Sequence, residues 1–173
     1  MITTSLVDSP PLSLHHATMQ DVLDIYDNLR PNDIKECEIF GFTPLDALSH
    51  VFEIEGHYTY AIKKDDVCIA MCGTVPLEDG RGSVWMLGTE GINTYAKPFV
   101  RKCKEVITLL QGDYDIIENI CPVGHDETIM WLSWCGFVFH EQREDVNGYE
   151  MLRFVRCKDE KSQAYYTQRP VYH

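Results

Sequence analysis

Seven cysteines stand at positions 37, 68, 72, 103, 121, 135 and 157. Thiolates can hold a metal, pair as disulfides or attack an electrophile, and the first two uses leave a spacing signature. Here the number is odd, the positions are scattered, and no C-x-x-C pair or adjacent Cys/His ligand set occurs. Neither a zinc site nor a disulfide framework is encoded, so the seven read as small buried hydrophobes. Cys68 and Cys72 fall four apart in an apparent strand, which puts them on one face about 13 Å apart, too far to bond. Trp131 and Trp134, three apart on a helix, read as one core and one interface residue.

Charge narrows the chemistry further. The chain carries 27 Asp and Glu against 15 Lys and Arg, a net charge of -12 over 173 residues. Phosphate backbones and anionic lipid bind clustered cations, so direct nucleic-acid and membrane-surface roles are disfavoured. No run approaches the roughly 18 apolar residues of a membrane span, and MITTSLVDSPP has neither the basic start nor the apolar block of a signal peptide. A soluble protein made in a cytoplasm is expected. With 45% hydrophobic residues, the length suits one domain burying about two-thirds of its unfolded surface.

The elements that would position any site follow from periodicity. LSLHHA (12–17) alternates as a half-buried strand, and Thr18 caps a helix from Met19 to about Asn28, which Pro31 breaks. A second helix spans Asn32–Phe40 and ends at Gly41. Thr43 and Pro44 open a third helix, to about Phe52. HYTYAIKK (57–64) and VCIAMCGTVP (67–76) form a hairpin over Asp65-Asp66, and SVWMLGT (83–89) is the next strand. After the irregular EGINTYAK, an amphipathic helix runs from Pro98 to Gln111. DIIENICP (115–122) reads as a strand buried on both faces. The short helix DETIMWLSWC then leads through Gly136 to a last hairpin turning at Asn147-Gly148. The segment after Lys158 shows no periodicity. Strand-helix-strand at both ends around an antiparallel middle means a mixed α/β (α+β) sheet between helices. The expected division is a lead-in (1–11), one domain (12–156) and a tyrosine-containing tail (157–173).

This order resembles the GNAT acetyltransferase fold, and HDETIMWLSWCGFVF (125–139) resembles its fourth helix running into Gly-Phe at strand six. ATMQDVLDIYDNLRPNDIKE, VWMLGTEGI and MWLSWCGFVF are more narrowly similar to acetyltransferase-like internal virion proteins of short-tailed bacteriophages. The resemblance implies a seven-stranded, mostly antiparallel sheet with parallel strands four and five and about four flanking helices. It also implies a phage protein located in the host cytoplasm or packaged in the virion, with a virion or host protein as partner. The cofactor it implies is acetyl-CoA, with no metal.

In that family the splayed fourth and fifth strands receive the pantetheine arm, and the start of the third helix receives the pyrophosphate. The corresponding cofactor-binding residues are Met86, Leu87, Gly88, Thr89 and Asn119, with Lys97, Arg101 and Lys102 as point charges. The phosphate loop departs from the family's pattern. Gly91 is the one glycine left between Thr89 and Phe99, Glu90 adds negative charge, and Pro98 removes an N–H donor. The tyrosine that protonates the leaving thiolate falls on Leu132, which has no proton to give. Ser133 points about 100° away. His125, Glu118 and Glu90 remain as candidate acid and bases by position. Two functions are therefore implied: a phage GNAT-fold protein with a degenerate acetyl-CoA site, working by protein contact, or an active acyl-CoA-dependent N-acetyltransferase acting on an amine of a protein or small molecule. The acidic charge suits a cationic acceptor.

Overall fold

The computed structural model describes residues 4–5 and 12–168. The alternating stretches form strands β1 (Thr4–Ser5), β2 (Leu12–His16), β3 (Tyr58–Lys64), β4 (Val67–Pro76), β5 (Arg81–Gly88), β6 (Ile116–Pro122), β7 (Val138–Val146) and β8 (Tyr149–Cys157). They make one sheet in the order β1-β2-β3-β4-β5-β6-β8-β7. Apart from the two-residue β1, which pairs with β2, this is the expected seven-stranded sheet. Its one parallel pair is β5 with β6; all other neighbours are antiparallel.

Both tight hairpins turn on residues that tolerate positive φ. Asp65 and Asp66 sit at 49° and 64°, Asn147 and Gly148 at 52° and 87°, the geometry that matches strand twist.

Helices α1 (Met19–Ile25), α2 (Pro31–Ile39) and α3 (Pro44–His50) cover one face of the sheet, and α5 (Ala96–Gln111) and α6 (Asp126–Trp134) the other. Asp21 closes the first cap: its carboxylate accepts from the Thr18 N–H at 2.8 Å and pairs with Lys63 at 3.1 Å. Pro31 opens α2 at its first turn, which has no intrahelical use for its missing N–H; α1 has already ended at Ile25, short of the expected Asn28. Thr43 accepts from the Asp46 N–H at 3.2 Å and caps α3.

Three expectations change. The irregular EGINTYAK contains a helical turn, α4 (Gly91–Thr94), and α5 begins at Ala96, two residues before Pro98. The aperiodic tail contains α7 (Glu160–Gln168); Tyr172 lies outside the described residues. Cys68 and Cys72 lie on opposite faces, one packed with the α1–α3 cluster and the other with the α5 cluster. The register explains this. Ile62 pairs with Ala70 but Lys63 pairs with Cys68, so Ile69 is an extra residue that reverses the alternation. No helix among the described residues is long and apolar enough to cross a membrane.

Candidate functional site

β5 and β6 are paired at only three positions, Arg81 with Ile116, Gly82 with Ile117 and Ser83 with Glu118. Beyond these, β5 stays with β4 as far as Gly88, and β6 stays with β8 as far as Pro122. The two parallel strands therefore fork. Asn119 sits at the fork and replaces the lost ladder: its Nδ2 donates to the Val84 carbonyl at 2.6 Å, and its Oδ1 accepts from the Ile120 N–H at 2.8 Å. A cavity of about 540 Å³ fills the fork and reaches both faces of the sheet. Met86, Leu87 and Trp85 of β5, Asn119, Ile120 and Cys121 of β6, Phe99 and Cys103 of α5, and Trp131 and Leu132 of α6 line it.

The end of β5 is fastened by α2. The Asp33 carboxylate, buried at 5% exposure, accepts from Gly88 N–H at 2.9 Å and from Arg30 Nε at 2.9 Å, while the Arg30 N–H donates to the Gly88 carbonyl at 2.9 Å. Gly88 thus turns its backbone groups away from β4. Because strand groups alternate, Met86 turns its own N–H and C=O the same way, into the fork. The Trp85 indole N–H is buried over Gly73 of β4 with no hydrogen-bond partner.

One turn after Asp33 on α2, Glu36 also lines the cavity. Burial, reinforced by the Asp33 charge and opposed by Arg30, pushes its carboxyl from 4.5 up to about 7. A carboxyl that titrates near neutrality inside a largely apolar cleft is suited to proton transfer. After burial itself, the Glu36 charge is the next influence raising the thiol of Cys121, which goes up to about 11. Glu36 and Cys121 thus look into the cavity from α2 and β6.

The residues read from the sequence divide. Met86, Leu87 and Asn119 line the fork. Gly88 and Thr89 sit at its rim with polar groups committed: Gly88 to Asp33 and Arg30, and the Thr89 hydroxyl and N–H to the Ile69 carbonyl, both at 2.9 Å. Glu118 is buried and its Oε1 accepts from Arg81 at 2.8 Å and Arg153 at 3.1 Å, outside the cavity lining. Glu90 is exposed and accepts from the Asn93 amide at 2.7 Å. His125 precedes α6, half-buried, its Nδ1 without a partner. Lys97 and Arg101 are exposed on α5, and Lys102 pairs with Glu105 at 3.3 Å; none of the three lines the cavity. Leu132 does line it, and Ser133 is exposed.

Gly91 has a packing role. A Cβ there would lie 2.9 Å from Ile69, so the missing side chain lets α4 approach β4. Pro98 is the third residue of α5, which leaves the N–H groups of Ala96 and Lys97 free ahead of it. Glu36 escaped the sequence reading; its one signal is the spacing Asp33, Glu36, Cys37, which puts two carboxyls beside an apolar position on one helix face. Among the described residues no group of three or more His, Cys, Asp or Glu is placed to hold a metal ion.

No protein-family model matches the chain, and no curated protein sequence does. Solved structures do. A probable acetyltransferase aligns with a TM-score of 0.64 at 12% identity, covering 91% of this chain and 98% of that one. The aminoglycoside acetyltransferase AAC(6')-Ib in complex with coenzyme A aligns at 0.63 and 14%, covering 92% and 99%. The acetyltransferase from Salmonella typhimurium that modifies the N-terminal serine of ribosomal protein L7/L12 aligns at 0.61 and 13%, covering 91% and 100%. At such identities the likeness is one of fold: the chain has the GNAT fold.

Proposed function

We propose that the chain is an N-acyltransferase that takes its acyl group from acetyl-CoA and passes it to an amine of a small molecule or protein. The observation that carries this reading is Glu36, a carboxyl titrating at about 7 in the wall of the cavity that passes through the fork. Acetyl-CoA supplies an activated thioester. On the protein side, the Met86 backbone groups would pair with the amides of its pantetheine arm, and Asn119 ties the two strands together at the base of the fork. At the start of α5 the N–H groups of Ala96 and Lys97, with the Lys97 and Arg101 side chains one turn apart, would make a weak phosphate contact. Glu36 would remove the proton that an ammonium must lose before its nitrogen can attack a carbonyl. Leu132 gives the departing thiolate no proton, so solvent must supply it.

Calorimetry with acetyl-CoA and a turnover assay over a panel of amines test the reading. Weak donor binding and slow acetylation are expected, with kcat/KM rising as pH passes 7. Absence of binding at millimolar donor would overturn it.

A second reading is favoured by one group of observations: Gly91 packed on Ile69, Pro98 in the first turn of α5, and Leu132 at the cavity wall. These suit a phage protein that keeps the fold with a degenerate donor site and works through contact with a virion or host protein. Mass spectrometry of purified particles, against the soluble fraction of infected cells, tests that assignment.

A further inference from the structure

Two of the seven cysteines meet. Cys103, in the middle of α5, and Cys135, immediately after α6, place their sulfurs 3.4 Å apart, the Cys135 thiol donating to Cys103. Sequence separation of 32 hid the pair. Both are buried, at 1% and 3% exposure, but Cys103 lines the cavity and Cys135 does not. A small solute inside the fork can reach the first sulfur, and the second waits behind it.

We infer that Cys103 and Cys135 form a dithiol site that hydrogen peroxide, entering through the cavity, oxidises to a disulfide joining α5 to the end of α6. The Cys103 thiolate attacks one peroxide oxygen, breaking the O–O bond and leaving a sulfenic acid and hydroxide, which is protonated to water. The Cys135 sulfur then attacks the sulfenic sulfur, forming the S–S bond and expelling a second water. Two thiols lose two electrons and two protons, and one peroxide becomes two waters. The sulfurs need only close by roughly 1.4 Å to reach bonding distance.

The surroundings favour the thiolate at the reachable sulfur. The hydrogen bond from Cys135 is the largest influence on Cys103; the Trp131 indole and Lys104 add to it against burial, and together they lower the thiol. Cys135 is raised, first by its bond to Cys103 and then by burial, with Lys104 and Arg156 opposing. Burial does the opposite elsewhere: it lifts Cys37 to about 11, Cys68 and Cys72 to about 12, and Cys121 to about 11. Low-pKa thiols in electropositive, reachable surroundings react, and apolar buried ones stay inert. The inference is independent of the acyltransferase reading, since it needs only the cavity and the pair.

The test treats the full-length protein with stoichiometric hydrogen peroxide, blocks remaining thiols with iodoacetamide and maps the proteolytic peptides by mass. The expected product is a Cys103–Cys135 linked peptide, two hydrogens lighter and reversed by dithiothreitol, forming at least about tenfold faster than oxidation of Cys72 or Cys121. In Cys135→Ser, Cys103 should accumulate a sulfenic acid trapped by dimedone, while Cys72→Ala still cross-links. Oxidation spread evenly over the buried cysteines, or Cys103 over-oxidised without a linked peptide in the unmutated protein, would overturn the inference. The unmutated map decides even if a variant folds poorly.

Discussion

At the scale of single residues, Glu36 carries the sharpest consequences. Its folded-state pKa of about 7 lies above the ordinary 4.5, so the folded chain holds a proton that the unfolded chain has released. Its contribution is neutral below pH 4.5 and turns against the fold as pH rises through 7, by on the order of 3 kcal/mol. Glu36→Gln removes that cost. Urea unfolding should show the variant matching the parent at pH 4 and exceeding it at pH 8, whereas equal midpoints at both pH values would show that the carboxyl titrates normally. The same variant should lose about a hundredfold in kcat/KM for an amine acceptor, the usual weight of a general base. Leu132 is the reverse case. Leu132→Tyr puts a phenol where the cavity wall is apolar, and kcat should rise about tenfold if thiolate departure limits turnover; an unchanged kcat with unchanged donor affinity would locate the slow step elsewhere. The sequence pointed to Glu118 and Glu90 by strand position and passed over Glu36. A carboxyl's usefulness depends on what surrounds it, and Glu118 turned out to face Arg81 and Arg153.

At the scale of elements, the link between α2 and β5 decides how that carboxyl behaves. Asp33 bonds Arg30 and the Gly88 N–H, and its charge is the second influence raising Glu36. Asp33→Asn deletes the charge and frees Arg30 to act on Glu36 alone. The pH midpoint of kcat/KM should therefore move to lower pH, toward the ordinary carboxylate range. A midpoint that stays at 7 would assign the titration to some other group. Elements were legible where a local device defined them: the Thr18 and Thr43 caps, the Asp65-Asp66 and Asn147-Gly148 turns. They were illegible where tertiary packing decided. The bulge at Ile69 that parts Cys68 from Cys72 has no local sequence mark, and α4 forms because Gly91 can press against Ile69. The start of α5 was misplaced for a related reason: a proline favours the first helical position, yet the third also lacks an intrahelical use for its N–H, and here the helix starts two residues earlier.

At the scale of the whole molecule, a mixed sheet between helices was readable from hydrophobic period and element order, while the parallel central pair was legible only through the resemblance to the GNAT fold. The fork is a product of that topology, and the charge around it remains to be given a use. A net charge of -12 repels a polyanionic donor and attracts a cationic acceptor, and the two effects should separate under salt. Screening shortens the reach of surface charge to about 8 Å at physiological ionic strength and about 3 Å at 1 M. The kcat/KM for an oligoamine or lysine-rich acceptor should therefore fall steeply between low and high salt, while donor affinity rises or holds. A neutral or singly charged amine should respond little. Equal salt dependence for a polycationic and a neutral acceptor would mean that the acidic surface takes no part in recruiting substrate.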